Sequence, residues 1–428
     1  DLDEDAARAR VEGHERGRAI RLDLSDAASV SPELDAADLV VCLLPPFLQG
    51  RVAASCVEHG CHMVSASYRS ADVAALDEAA RERGVTLLTE LGLDPGIDLM
   101  SAQRIIDAIQ RRGGTVDRFL SYGGGLPEPS FEDNPLRYCV TWNPRNVVMA
   151  ADLGARYLRR GRVQLEPWHR VFAATWPVDV PNLGTFDAYA NRDSINYRAI
   201  HGIDHVQTLL RGTLRHPGYC AIWHQIVRLG LPAERLVVPR LGERTWAELV
   251  TMFLPADAVS EGADGAAVRA ATATFLGLPD DDPRLRALSD LGLFSDETIG
   301  GTIETPAQAM IGLLQKRLPL PDGVRDMVVL HHEIDALIPV DGTTRRERTL
   351  STFVHYGDPG GTPGGITAMA ETVGLPMALG ATMLLDGRLR RRGCVGPTES
   401  DVFEPILDEL ETRGLRFEET TTVVDEPL

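Results

Sequence analysis

The stretch ELGLDPGIDLMSAQRIID, residues 90–107, decides how this chain folds. Ahead of it, Val85-Thr86-Leu87-Leu88-Thr89 is short, apolar and β-branched, which reads as a buried strand. Within and beyond it, Met100, Ile105, Ile106 and Ile109 recur at helical spacing until Gly113-Gly114 stops the pattern. The stretch is therefore a strand-to-helix loop, and open α/β sheets hold their ligands at such loops. Its two aspartates divide the work. Asp98 stands just before the periodic residues, where a carboxylate accepts from the first free N–H groups of a helix. Asp94, between Leu93 and Pro95, has no equally simple structural duty and is a candidate to face a ligand.

Working outward, strands alternate with helices. GRAIRLDLSD supplies a short strand, Val40–Leu44 an apolar one, Gly50–His59 a helix, His62–Val64 a strand and Ala71–Arg83 a helix. That alternation implies a parallel, doubly wound sheet. A Rossmann-type sheet opens with a strand and a glycine-rich phosphate loop, and neither follows Asp1. The natural chain is therefore expected to begin about 30 residues earlier, one β-α-β step. Asp1 or Asp3 would then stand at a strand tip, where a carboxylate bonds the adenosine ribose and repels a 2′-phosphate. This makes NAD or NADP the expected cofactor and tilts the choice toward NAD. The other reading of these residues is the acidic first turn of a helix. Leu44, Pro45 and Pro46 would flank the nicotinamide half of the cofactor.

From Thr115 the texture changes. TVDRFLSYGGGLPEP is a strand followed by a glycine-rich loop, and YCVTW and RVFAATWPVDV read as further strands. Residues 204–338 are mostly helical, RERTLSTFVHYGD is a strand, and TAMAETVGLPMALGATMLLDG is a small-residue helix suited to close packing on a sheet.

Composition excludes several classes. The 428 residues carry 43 Lys+Arg against 62 Asp+Glu, a net charge of −19, which argues against nucleic acid or an anionic membrane as partner. Lys316 is the only lysine, so a Schiff-base lysine would have to be that residue. The cysteines at 42, 56, 61, 139, 220 and 394 form no C-x-x-C pair and read as reduced core thiols of a cytoplasmic protein. The longest apolar run, LVVCLLPPFL, is too short and proline-broken to span a bilayer.

Several loops join tight-turn residues to fixed polar groups. SASYRS, 65–70, ends a strand, so Ser67 and Tyr68 would share the cleft of Asp94. SYGGGLPEP, 121–129, offers bare backbone at Gly123 and Gly124. NRDS and LRGTLRHPGY bring Arg192, Arg211, Thr213 and Arg215, the arginines being candidates for bidentate carboxylate binding. His201 and His205 lie four apart and His331-His332-Glu333 are adjacent, but neither set has a third ligand at motif spacing, so no metal is expected. No nucleophile elbow or Walker loop is present, which points away from hydrolysis and phosphoryl transfer.

In order, LDPGID, SYGGGLPEP…DNPLRY…TWNPR, NRDS, LRGTLRHPGY, DMVVLHHEI and TAMAETVGLPMALGA make the chain resemble saccharopine dehydrogenases of the L-glutamate-forming type over nearly its whole length. It is similar above all to the dehydrogenase half of the bifunctional lysine-degrading enzyme. The resemblance implies an α/β fold: a truncated Rossmann-type parallel sheet plus a mixed α/β substrate domain with a mostly helical insertion. The expected division is 1–92 with 364–428 returning to it, 93–203 with 339–363, and 204–338 as the insertion. The implied reaction oxidises saccharopine, with NAD(P)+ as hydride acceptor, to glutamate and 2-aminoadipate semialdehyde. The family's catalytic Asp and Tyr fall on Asp94 and Tyr68, and its carboxylate-gripping Arg on Arg192. Gly123 stands where the family has a cysteine, so that role does not carry over. The alternatives are a dehydrogenase of a related carboxyalkylated amine such as carboxynorspermidine, or a non-catalytic homologue. Assembly as a homodimer is left open.

Overall fold

In the computed structural model, which describes residues 1–260 and 262–424, the described residues form these strands: β1 (Leu39–Cys42), β2 (His62–Ser65), β3 (Thr86–Leu88), β4 (Thr115–Pro127), β5 (Ala155–Arg159), β6 (Arg162–Glu166), β7 (Thr175–Val180), β8 (Gly184–Ala190), β9 (Thr208–Arg215), β10 (Asp326–Val340), β11 (Thr343–Tyr356), β12 (Gly393–Val395) and β13 (Phe417–Val423). They divide between two compact units, 1–101 with 372–412, and 102–371 with the chain from 413 onward.

The first unit is built on a four-stranded parallel sheet in the order β1-β2-β3-β12. Helix Pro46–His59 enters through Pro46 at its first position and stops at Gly60, whose φ of 77° suits a residue without Cβ. Val52, Ala53 and Cys56 of this helix pack with Cys42, Met63 and Leu87 of the strands. The helix Ala368–Leu385 is long and apolar enough, by length and composition alone, to cross a membrane. Gly380 instead lets it lie against the sheet: a Cβ there would meet Leu91 Cδ2 at 2.3 Å and Leu88 Cδ2 at 2.9 Å. Two local expectations are corrected. Residues 71–83 form two helices, Ala71–Ala74 and Asp77–Arg83, with Leu76 in a non-helical conformation between them. GRAIRLDLSD is not a strand: Ile20 and Leu22 exchange two backbone bonds with Asp1, the bonds at Gly17 and Asp26 close local turns, and a ladder needs more.

The second unit holds a nine-stranded sheet with β13-β11-β10-β4-β9-β5-β6 in sequence, β8 pairing β9 and β7 pairing β8. β10 pairs antiparallel with β4 and β11, while β4 and β9 run parallel. The expected insertion at 204–338 is corrected at both ends: β9 and β10 belong to the middle of this sheet, and the helices between them run from Tyr219 to Arg317 around Trp223, Trp246, Leu249, Leu288 and Met310. The C-terminal segment is corrected too. Only 372–412 groups with the first unit, β13 pairs with β11, and residues 425–428 lie outside the described residues. YCVTW is not a strand: Asn134 holds the turn through Tyr138, and Val140 makes a single backbone bond to Leu318. Of RVFAATWPVDV only Thr175–Val180 is extended.

Asp326, first residue of the DMVVLHHEI motif, accepts from Ala368 N at 2.7 Å and Met369 N at 3.0 Å, so its carboxylate caps the small-residue helix. His331 and His332 point to opposite faces of β10. His331 Nδ1 bonds Thr352 Oγ1 at 2.8 Å, and His332 stacks near Phe119 and Phe417. Burial, followed by nearby positive groups, lowers both His332 and His201 to about 3. A histidine held below its unfolded value near 6.5 leaves the unfolded chain with the extra proton. The stability that these two contribute is full above about pH 6.5 and is lost as pH falls toward about 3, by about 1.4 kcal/mol per pH unit for each. Urea unfolding between pH 7 and 4 measures this slope. His332→Leu is expected to remove about half of the histidine part, and an unchanged slope refutes the assignment.

Candidate functional site

The opening stretch folds as a buried loop with one residue held out. From Leu91 to Met100 every residue is buried except Asp94, which is exposed. The glycines make this possible. A Cβ on Gly96 would sit 2.0 Å from the Gly92 carbonyl oxygen, and one on Gly92 would meet Ala66 Cβ at 3.0 Å. Asp98 lies inside helix Ile97–Arg111 rather than before it, and its carboxylate reaches back to Gly96 N at 2.8 Å. Its duty is structural, as expected, but it acts on the loop from within the first turn.

Tyr68 donates its hydroxyl to Asp94 Oδ1 at 2.7 Å, so two residues 26 apart in sequence meet at the C-terminal edge of the parallel sheet. Ser67 is anchored below them, its N–H donating to Ser65 Oγ at 3.1 Å. The Ser65 hydroxyl in turn donates to Gln49 Oε1 at 2.8 Å, and Gln49 Nε2 donates to the Leu44 carbonyl at 2.7 Å. Buried Gln49 thus ties the Leu44-Pro45-Pro46 loop to the Ser67-Tyr68 loop. Sequence reading missed it, although a polar residue in step with Val52, Ala53 and Cys56 on the buried helix face was the available signal.

In the second unit, alternation along β9 puts Arg211, Thr213 and Arg215 on one face. Register sets Gly123 of β4 beside Thr213 on one side and Tyr189 of β8 on the other. Asp187 is paired with Arg215 in the ladder. Arg215 is 3% exposed and lies over the rings of Tyr138, Tyr219 and Tyr189, at 5.0, 5.1 and 5.9 Å from their centroids. Burial pushes these three phenols up, so they stay neutral and give the cation ring faces rather than negative charge. Arg215 donates to the Leu214 carbonyl at 3.0 Å, its Nε has no hydrogen-bond partner, and no ion pair to it occurs among the described residues. A buried cation so placed is chemically suited to an incoming carboxylate. The tyrosine cage was not legible, because its rings come from three separate segments. Arg211 is also buried and lies 4.3 Å over the Tyr197 ring.

Arg192 is exposed and adopts a φ of 50°, a left-handed conformation. Its NRDS neighbours hold it there: Asp193 accepts from Arg156 and Ile195 N, and Ser194 Oγ accepts from Arg211 N at 2.9 Å. Gly124 is needed where β4 meets β9, since a Cβ would stand 3.1 Å from Leu214 Cβ. Asp1 and Asp3 are occupied otherwise than expected: Asp1 Oδ1 accepts from Asp3 N, and Asp3 caps helix Glu4–Val11 through Ala6 N, both at 3.0 Å. The helix-turn reading is the one realised, and it removes the ground for tilting the cofactor choice toward NAD. His201 Nδ1 bonds Gln103 Oε1 at 2.8 Å, while His205 is exposed. Among the described residues no group of three His, Cys, Asp or Glu side chains is arranged to hold a metal.

Comparison with known proteins matches this arrangement to one family. Residues 1–88 match the saccharopine dehydrogenase NADP binding domain, and residues 92–415 the saccharopine dehydrogenase C-terminal domain. Saccharopine dehydrogenase [NADP(+), L-glutamate-forming] of Pyricularia oryzae is 32% identical over 96% of this chain and 90% of its own length. Mitochondrial alpha-aminoadipic semialdehyde synthase of Mus musculus is 35% identical over 92% of this chain, which spans 42% of that longer protein. The apo structure of the L-Glu forming saccharopine dehydrogenase from Saccharomyces cerevisiae superposes with a TM-score of 0.85 at 30% identity, covering 98% of this chain and 92% of that one. An NAD preference finds no support among these relatives, the Pyricularia enzyme being named for NADP(+). On sequence and on fold, the chain belongs to the saccharopine dehydrogenase family.

Proposed function

We propose that this protein oxidises saccharopine to L-glutamate and 2-aminoadipate 6-semialdehyde, with a nicotinamide dinucleotide as hydride acceptor. The observation that carries the reading is the Tyr68–Asp94 hydrogen bond at the tip of a strand-to-helix loop otherwise buried. Saccharopine is a secondary amine bearing three carboxylates, protonated at neutral pH. Its nitrogen must lose a proton before the adjacent carbon gives up hydride, and Asp94 is the group proposed to hold the ammonium and take that proton. Tyr68 orients the carboxylate through its hydroxyl. Arg192, Arg211 and Arg215 are proposed to grip substrate carboxylates, with Thr213 and the bare backbone of Gly123 and Gly124 beside them.

The cofactor is proposed to lie on the first unit, along Leu44, Pro45 and Pro46. Its parallel sheet ends in the Leu44-Pro45-Pro46 loop, whose carbonyl at Leu44 is already held by Gln49 and whose Leu44 side chain is exposed. When bound, the dinucleotide supplies the hydride acceptor. All six cysteines are free thiols, as a reducing compartment such as the cytoplasm allows.

The test is saccharopine-dependent reduction of NADP+ and of NAD+, followed by absorbance, with glutamate assayed as product. Glutamate release supports the reading. Absence of turnover with both nucleotides, or equal turnover of a carboxyalkylated diamine, sinks it.

Arg192 offers a further check. A left-handed conformation costs a non-glycine residue roughly 1–2 kcal/mol, part of which glycine gives back through unfolded-chain entropy. Arg192→Gly is therefore expected to raise unfolding stability by up to about 1 kcal/mol, while KM for saccharopine rises about 10- to 150-fold through loss of a charged hydrogen bond. Arg192→Ala should lose the same affinity without the gain. Calorimetry beside steady-state kinetics separates the two effects.

A further inference from the structure

We propose that Glu90 is the positioning residue that holds Tyr68 against Asp94, an inference that rests on the reading of those two residues given above. Glu90 follows β3 after Thr89 and opens the loop that carries Asp94, within a run of buried residues from Val85 to Leu93. It is nearly buried, at 8% exposure, and its φ of 62° is left-handed, a conformation that a side chain bearing Cβ adopts only when its surroundings impose it.

The surroundings identify what is gained. Glu90 N donates to the Ser67 carbonyl at 3.0 Å, and Glu90 Oε1 accepts from Arg69 N at 3.3 Å. One residue thus grips the chain immediately before and immediately after Tyr68. Leu91 N donates to the Ser65 carbonyl at 3.0 Å and continues the grip one step further down. Glu90 Oε2 also lies 3.6 Å from the Arg69 guanidinium. Gly396 makes room for that guanidinium, because a Cβ there would be 2.6 Å from Arg69 Nη2.

A tyrosine at the end of a strand swings freely unless both flanking peptides are fixed. The left-handed turn at Glu90 aims its own N–H and its own carboxylate at the two ends of Ser67-Tyr68-Arg69, which an extended residue at 90 would not do. Glu90 bonds the backbone on both sides of Tyr68.

The experiment measures turnover and amide exchange together on the full chain. Glu90→Ala is expected to speed hydrogen exchange of the Ser67–Arg69 amides about 2- to 10-fold, the value of one hydrogen bond. It should also lower kcat by about tenfold or more with KM for saccharopine little changed. Glu90→Ala combined with Tyr68→Phe should be no slower than the slower single variant, because both remove one contribution. Glu90→Gln keeps an acceptor for Arg69 N and should restore exchange protection and most of the turnover. Additive losses in the double variant, or exchange in Glu90→Ala no faster than in the unaltered protein, overturn the proposal, and faster exchange with unchanged kcat in an active enzyme overturns the bearing of Glu90 on turnover. Absence of saccharopine turnover in the unaltered protein would overturn the function instead, while faster exchange in Glu90→Ala would still uphold Glu90 as the residue that holds the Tyr68 loop.

Discussion

Asp94→Asn is expected to lower kcat for saccharopine oxidation by about 10²- to 10⁴-fold, the usual worth of a positioned general base. The substitution is clean for a physical reason. Asparagine keeps an oxygen that can accept the Tyr68 hydroxyl now 2.7 Å from Oδ1, so the loop has no cause to move. Asp94 is exposed, so the nearly isosteric exchange opens no cavity in the core. What disappears is the negative charge and the basic site. The pH profile then tells the two apart. If proton removal is what was lost, activity of the variant climbs toward alkaline pH, where the substrate amine sheds its proton unaided. If charge was lost, the deficit is the same at every pH. Full activity of Asp94→Asn at all pH values would remove Asp94 from the mechanism.

The second large effect has opposite signs in binding and stability. Arg215→Met is expected to raise KM for saccharopine by about 30- to 4,000-fold, since removing one side of a buried, charge-assisted contact costs 2–5 kcal/mol. The same change should leave thermal stability unaltered or higher. In the unliganded protein Arg215 is a buried cation without an ion pair among the described residues, offset only by ring faces and the Leu214 carbonyl. An apolar chain of similar length fills the tyrosine cage without that desolvation. Steady-state kinetics and a thermal melt on one preparation decide it. A large loss of stability with unchanged KM would make Arg215 a core cation with no ligand duty.

Much of the fold could be read directly because the sequence carries strong local signals. The apolar β-branched run before residue 90 and the helical spacing after it are both real, as β3 and helix Ile97–Arg111. Their junction is a sharp loop because Gly92 and Gly96 pass too close for any side chain. Misreadings fell where local pattern had no tertiary partner. YCVTW has strand composition, but Tyr138 is drawn into the cluster around Arg215 and the backbone meets one bond at Leu318. The boundaries of 204–338 failed because β9 and β10 look like any apolar segment until their register within the large sheet is known.

The sequence by itself determined most of the element types, the loop that holds out Asp94, and the family through its ordered motifs. Those are set by propensity, periodicity and turn chemistry within a few residues of one another. Only the tertiary structure decided that Tyr68 meets Asp94, that Gln49 joins two loops, and that three distant tyrosines surround Arg215. It also decided that Asp1 and Asp3 turn to their own backbone. The first three are pairings whose distant partners are brought together by strand order and register, which no local window of the chain contains, whereas for Asp1 and Asp3 the structure chose between two local readings that the sequence left open.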